Sequence, residues 1–108
     1  MNNSDNPVYL VAQLDVKNVE DFLQRYGSAV IGQLQKVGAK VLAATSPQVL
    51  EGDQVINRTV ILQFPSLDVA TQWYESEEYR ALKELRINEL TNSGTAVFVE
   101  AFDASLLD

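Results

Sequence analysis

Two arginines are the residues of this chain best suited to holding a negatively charged small molecule. Arg58 and Arg86 stand at the two ends of a stretch that also contains Trp73, Tyr74 and Tyr79. A guanidinium can donate two parallel hydrogen bonds to one carboxylate or phosphate, so the pair could clamp an anionic ligand. The alternative is that each arginine holds a structural carboxylate.

Glu100 is the candidate for proton transfer. A carboxylate beside an apolar cavity can act as an acid or a base. One alternative is that Glu100 forms a structural salt bridge with an arginine, a role that Glu51 could also have. The other is that Glu100 is solvated at the edge of the sheet.

Four aromatic residues with polar tips occur at spacings typical of a helix core: Tyr26, Trp73, Tyr74 and Tyr79. Such residues usually pack in the core, and their hydroxyl or indole groups can at the same time border a pocket. We therefore treat Tyr26, Trp73 and Tyr74 as ligand-binding candidates as well as core residues, and Tyr79 as a core residue.

The composition excludes several classes of function. The chain has 108 residues, no cysteine, no histidine and a net charge of −7. Thiolate nucleophiles, histidine-dependent triads and the usual zinc or haem ligands are excluded. The charge disfavours nucleic acid and anionic membranes as partners. No acidic cluster has the spacing of a metal site, so we expect no metal and no cofactor. The polar start of the chain and the lack of a long apolar run predict a cytoplasmic protein.

Alternating and helical apolar patterns predict the element order βαββαβ. Strands are expected at Val8–Leu14, Lys40–Thr45, Thr59–Phe64 and Thr95–Phe102. One helix should begin after the cap Asn18 and end at Lys36 or Val37, before Gly38. A second should begin after Ser66, kink or restart at Ser76, and end at the turn Asn92-Ser93-Gly94.

The two similar βαβ halves predict one domain over residues 8–102, between a disordered tail at 1–7 and a C-terminal tail at 103–108. Right-handed crossovers place the strands in the order 4-1-3-2 with both helices on one face. The fold class is therefore α+β, a ferredoxin-like four-stranded antiparallel sheet. Leu106 and Leu107 in the C-terminal tail could cover an edge.

The helix-free face of this sheet carries large apolar side chains that need a cover. Alternation places Tyr9, Val11 and Ile61 there, and we expect Phe98 to join them. Because such a patch usually marks an interface, we predict a homodimer that pairs sheet on sheet.

The same alternation puts Gln13 and Gln63 on the helix-free face. With Tyr9 they could line a ligand cavity between two sheets. The alternative is that the two glutamines pair with each other or across the dimer interface.

Several segments appear in the order and spacing of a known family. They are YLVAQLDV at 9–16, Tyr26, Gly38, LEG at 50–52, RTVILQFPS at 58–66, WYESEEYRALKELR at 73–86 and FVEAF at 98–102. Over residues 8–102 the chain resembles the family catalogued as domain of unknown function 1330, in the dimeric alpha-beta barrel superfamily. The resemblance implies a ferredoxin-like fold and a dimer, and it implies no established activity.

The chain departs from the family pattern at Gln63, where the family usually has a glutamate. An amide cannot take up a proton near neutral pH, so a general base at this position would be lost. Three further departures concern glycines of the family pattern. Ala101 stands where the family usually has a glycine, and Gly38-Ala39 stands where it has a glycine pair. Ala44-Thr45-Ser46 stands where it has an arginine-glycine-glycine turn. Glu100 is retained.

Three classes of function stay open. The first is a homodimeric small-molecule-binding protein, and the second is a cofactor-independent enzyme, isomerase- or monooxygenase-like. The third is a protein-interaction module. The lack of histidine, cysteine and the family glutamate favours the first. The ligand-binding candidates are Tyr9, Gln13, Tyr26, Arg58, Gln63, Trp73, Tyr74 and Arg86.

Overall fold

A computed structural model describes residues 6–103 of the chain. The strands are β1 Val8–Val16, β2 Lys40–Thr45, β3 Arg58–Phe64 and β4 Thr91–Glu100. The helices are α1 Val19–Phe22, α2 Ser28–Lys36, α3 Leu67–Tyr74 and α4 Glu77–Leu85. Two π-helical turns, Leu23–Gly27 and Arg86–Leu90, follow α1 and α4. The tail residues 1–5 and the leucines at 106 and 107 lie outside the described range.

The four strands form one antiparallel sheet in the order β2-β3-β1-β4. This is the predicted order 4-1-3-2 listed from the opposite edge. The first and third strands are central, as predicted from their apolar character. β2 is the short edge strand, and its pairing with β3 shifts register between Val41 and Ala43.

One face of the sheet packs against the helices. Val8, Leu10, Ala12 and Leu14 of β1 are buried on it, as are Leu62 and Phe64 of β3. These residues form one cluster with Phe22, Val30, Leu34, Ala70, Trp73, Tyr79 and Leu90 from the helical segments. The alternation of β1 and β3 therefore assigned both faces of the central strands correctly.

Capping side chains begin the helices where the sequence predicted. Asn18, Ser66 and Ser76 each accept a hydrogen bond from the backbone amide three residues ahead. The Ser76 cap starts a separate helix, so α3 and α4 are two helices and not one kinked helix. Gly38 follows the end of α2 at a φ of 75°, the left-handed conformation that glycine adopts without strain.

Three details of the prediction were wrong. Both helical stretches contain a π-helical turn that was not predicted, whereas the restart at Ser76 was. β4 starts at Thr91, so Asn92, Ser93 and Gly94 belong to the strand and do not form a turn. Phe98 faces the helices, where its ring meets Phe64 and Tyr74 edge-on.

Gly94 explains how the strand continues through a turn-like sequence. It pairs with Leu14 of β1, and a Cβ atom at Gly94 would lie 2.7 Å from Cδ2 of Leu14. The glycine therefore leaves room for a buried leucine and does not provide a bend.

Candidate functional site

Arg86 is the most deeply buried charged residue in the described part of the chain. It begins the second π-helical turn, under the helices, and is only 7% exposed. The hydroxyl Oγ1 of Thr91 donates to the Arg86 carbonyl oxygen at 2.8 Å, which fixes the turn to the start of β4. None of the five ion pairs found among residues 6–103 includes Arg86.

Tyrosine hydroxyls, and not carboxylates, surround the Arg86 guanidinium. The hydroxyl oxygens of Tyr26 and Tyr79 form a hydrogen bond at 2.5 Å. Burial, together with the neighbouring Tyr79, raises the pKa of Tyr26 far above its ordinary value, so Tyr26 stays neutral. Burial alone lowers the pKa of Arg86, but Tyr79 and Tyr26 outweigh it and the net pKa shift is upward. Arg86 therefore keeps its positive charge.

These groups line a small enclosed space between the helices and the sheet, which we call the arginine–tyrosine cavity. Its volume is about 30 Å³, enough for a water molecule or two. The helical side contributes Phe22, Tyr26, Trp73, Tyr74, Tyr79 and Arg86, and the sheet contributes Leu10, Ala12, Leu14, Val60, Leu62 and Ala96.

A larger depression adjoins this cavity along the edge strand, and we call it the β4 groove. It has a volume of about 440 Å³ and is lined by Tyr74, Arg86, Ile87 and residues 91–96. Tyr74, Arg86 and Ala96 line both spaces, so Arg86 is reachable from the groove. The 91–96 segment adds hydroxyl and amide groups, which suit a polar ligand.

Trp73 and Tyr74 have different roles at this site. The Trp73 indole Nε1 donates to Oε1 of Gln33 at 3.1 Å, and its ring lies 4.1 Å from that of Tyr79 between centroids. Because its one donor is already used, Trp73 serves as a packed wall. The Tyr74 ring carries the Lys83 ammonium 4.9 Å from its centroid, at the edge of the β4 groove.

The helix-free face of the sheet, which we call the open face, holds three other candidates. The register gives rows across the sheet: Val99, Tyr9, Gln63 and Lys40; then Val97, Val11, Ile61 and Ala43; then Thr95, Gln13, Thr59 and Thr45. Gln13 and Gln63 share this face on adjacent strands, as predicted. They lie four residues apart along the strands, about 13 Å, which is too far for them to pair with each other within one chain, so that alternative is wrong.

Arg58 and Glu100 lie away from the arginine–tyrosine cavity. Arg58 lines a separate depression formed with α1, α2 and β2. Glu100 ends β4 and is exposed. Neither arginine is ion-paired with Glu51 or Glu100 within residues 6–103, so a structural carboxylate does not account for them there.

The structure therefore brings together Tyr26, Trp73, Tyr74 and Arg86, and leaves the other candidates elsewhere. Sequence reasoning missed two contributors. Tyr79 was treated only as a core aromatic, although its hydroxyl is bonded to Tyr26. The second contributor is the polar wall at 91–96, of which residues 92–94 were interpreted as a turn. The Tyr-x-Ser-x-x-Tyr spacing was a signal for Tyr79, whereas the wall had none.

Two further observations bear on cofactors and membranes. Among residues 6–103, no group of three or more acidic side chains is placed to hold a metal ion. No helix in that range is long and apolar enough to cross a membrane.

Solved structures share the fold at low sequence identity. A protein of unknown function from Rhodopseudomonas palustris has a TM-score of 0.75 and 14% identity, over 94% of this chain and 87% of that one. A protein from Bacteroides fragilis, described as dimeric and ferredoxin-like and of unknown function, has a TM-score of 0.58 and 16% identity, over 88% and 96%. A Caulobacter crescentus protein, provisionally named an antibiotic biosynthesis monooxygenase, has a TM-score of 0.61 and 15% identity, over 94% of each chain.

No protein with curated annotation matches the chain. The family model described as Domain of unknown function (DUF1330) matches residues 7–102, which confirms the predicted resemblance. The chain belongs to this DUF1330 family.

Proposed function

We propose that the protein is a homodimeric binding protein for a small organic anion, which Arg86 holds where the arginine–tyrosine cavity meets the β4 groove. The observation that carries the proposal is the burial of Arg86 without a carboxylate partner in the described part of the chain. A buried charge is costly unless it is paired, and tyrosine hydroxyls supply no negative charge. An anionic ligand would supply it.

The surroundings of Arg86 suit such a ligand. Tyr26 stays neutral, so the hydroxyl pair of Tyr26 and Tyr79 can donate a hydrogen bond to an anion. The β4 groove adds polar groups and the side chain of Tyr74. A concave space with a few converging polar groups is typical of small-molecule sites.

Binding is better supported than catalysis. No carboxylate is among the residues that line the arginine–tyrosine cavity or the β4 groove. A proton-transfer enzyme needs a base within hydrogen-bond reach of its substrate. Glu100 is exposed at the end of β4, outside both linings. Turnover of a substrate that disappears in Glu100→Gln would favour an isomerase- or monooxygenase-like enzyme instead.

Dimerisation through the open face is supported by the apolar middle row of the register. Val11 and Ile61 lie between Val97 and Ala43, and Val97 is 52% exposed in the single chain. Burying each large apolar side chain is worth about 1.5–3 kcal/mol. The Bacteroides fragilis structure, which has this fold, is described as dimeric.

The test combines a thermal-shift screen of small dicarboxylates, which suit the polar lining of the β4 groove, with the variant Arg86→Met. A ligand at about a hundred times its dissociation constant should stabilise the wild type by about 2.7 kcal/mol. The variant should lose this stabilisation. Without ligand it should be at least as stable as the wild type, because an apolar side chain of similar length replaces an unpaired buried charge.

Arg80→Met is the matched control. Arg80 lies on α4, exposed, between Glu77 and Glu84, so its removal should leave every ligand response intact. A dicarboxylate response that survives in Arg86→Met would contradict the proposal. A loss of several kcal/mol in ligand-free Arg86→Met would instead make Arg86 a structural residue.

A further inference from the structure

A second depression lies on the same side of the sheet, at its β2 edge. We call it the α1–α2 groove, and it has a volume of about 100 Å³. Three half-exposed aliphatic side chains, Leu23, Ile31 and Val41, converge on it at 45–47% exposure. Its other lining residues are Phe22, Tyr26, Gly27, Val30, Leu34, Ala44, Arg58, Val60 and Leu62.

Arg58 is the one charged residue in this lining. It starts β3 in alternation with Val60 and Leu62, which places all three on the helix side of the sheet. None of the ion pairs within residues 6–103 includes Arg58. An apolar wall with one available guanidinium is complementary to a molecule with an apolar tail and an anionic head.

We propose that the α1–α2 groove binds a short-chain alkyl carboxylate, with the tail on the aliphatic wall and the carboxylate on Arg58. The aliphatic side chains of Leu23, Ile31 and Val41 suit an alkyl tail, and the groove volume of about 100 Å³ limits that tail to a short chain. The carboxylate is the head group because it can accept two parallel hydrogen bonds from a guanidinium.

This site is separate from the one around Arg86. Arg86 does not line the α1–α2 groove, and Arg58 does not line the arginine–tyrosine cavity. The two spaces adjoin at residues that border both: Phe22, Tyr26, Val60 and Leu62. The first π-helical turn borders the groove through Leu23, Tyr26 and Gly27, and the second borders the other site through Arg86. π-helical turns within helices are frequent at functional sites, and here each borders one depression.

The experiment measures binding of butanoate, hexanoate and octanoate by calorimetry and thermal shift, with hexanol and hexylammonium as head-group controls. Affinity should rise about 3- to 4-fold per methylene until the groove is filled, and then level off. Arg58→Met should weaken carboxylate binding about tenfold or more and leave hexanol unaffected. Ala44→Met, on the exposed edge strand, should fill part of the groove and shift the preference to a shorter chain.

Arg86→Met and Arg80→Met separate this site from the proposed anion site and from general charge effects. Both should keep the chain-length series unchanged. Loss of the series in Arg86→Met would overturn the inference, because the acids would then occupy the other site. The inference would also be overturned if no carboxylate bound, or if affinity did not depend on chain length. Equal binding of hexanol or hexylammonium would overturn it as well, and so would a chain-length series that stays unchanged in Arg58→Met. A change in subunit association caused by Arg58→Met or Ala44→Met would make the groove a contact between chains and would also overturn it.

Discussion

At the scale of single residues, Tyr26 shows how burial fixes a protonation state. Its hydroxyl is bonded to that of Tyr79, and its ring stacks on Phe22 with 5.0 Å between centroids. In this position a tyrosinate would lose its hydration and gain little in return. The result is that Tyr26 stays neutral beside the Arg86 cation.

This predicts a specific loss of stability at alkaline pH. The folded pKa of Tyr26 is raised above its unfolded value, which is about 10. The stabilising effect is therefore complete below about pH 10 and is lost as the pH rises above it, by up to about 1.4 kcal/mol per pH unit. Urea unfolding of the wild type and of Tyr26→Phe, from neutral pH to about a unit above the ordinary tyrosine pKa, should give a shallower decline in the variant.

Parallel declines in the wild type and in Tyr26→Phe would mean that burial of Tyr26 does not govern the effect.

At the scale of elements, β4 is defined by what its residues contact and not by their local preference. Asn92, Ser93 and Gly94 are typical turn residues, yet they continue a ladder with β1 that extends to Thr91 opposite Val16. The second π-helical turn runs directly into this strand, so no separate loop is needed.

Two glycine substitutions should therefore have opposite effects. An alanine at Gly94 would place its Cβ 2.7 Å from Leu14 Cδ2 and 3.3 Å from the Gln13 carbonyl oxygen. Because Leu14 is buried, Gly94→Ala should lower the free energy of unfolding by about 1–3 kcal/mol. A Cβ at Gly32 in α2 would have nothing within 4 Å, so Gly32→Ala should raise it by about 0.5–1 kcal/mol.

Denaturant unfolding of both variants checks the prediction, and the sign is what matters. A stabilised Gly94→Ala would mean that β1 and β4 separate easily at that point. A destabilised Gly32→Ala would mean that α2 packs against something at this position.

These elements also show where sequence information is sufficient. The caps at Asn18, Ser66 and Ser76 depend on chemistry within three residues, so they were predictable. The facing of Phe98 was not, because Val97, Phe98 and Val99 are all apolar and give no alternation. The π-helical turns were not predictable either, since they depend on how each helix packs over the sheet.

At the scale of the whole molecule, the individual site residues were easier to predict than their grouping. Arg58 and Arg86 were identified as anion-binding candidates from residue type alone. Their separation into two depressions depends on the path that the chain takes at Phe22 and Tyr26, which border both depressions. That path is a tertiary property, and no local spacing encodes it.

The proposed dimer leads to a prediction about the open face. Val11 lies in the middle of its apolar row. Val11→Lys would place a charge in a sheet-on-sheet interface, at a cost of several kcal/mol. We expect the wild type to sediment as a dimer at micromolar concentration and the variant to sediment as a monomer. The dissociation constant of the dimer should be at least about 100-fold higher in the variant.

Gln72→Lys is the control for added charge, since Gln72 is exposed on α3, and it should remain dimeric. A monomeric wild type, or a Val11→Lys protein that still pairs, would remove the open face as the interface.

The register shift in β2 also limits how such subunits could grow into larger assemblies. A β-bulge makes a strand edge a poor template for another chain, and β2 is only six residues long. An open-ended filament would form if the β2 edge of one molecule paired with the β4 edge of the next and this contact repeated without closing into a ring. The irregular β2 edge disfavours that pairing. We therefore expect that a mutation which removes the register shift in β2 would make the protein form fibrils.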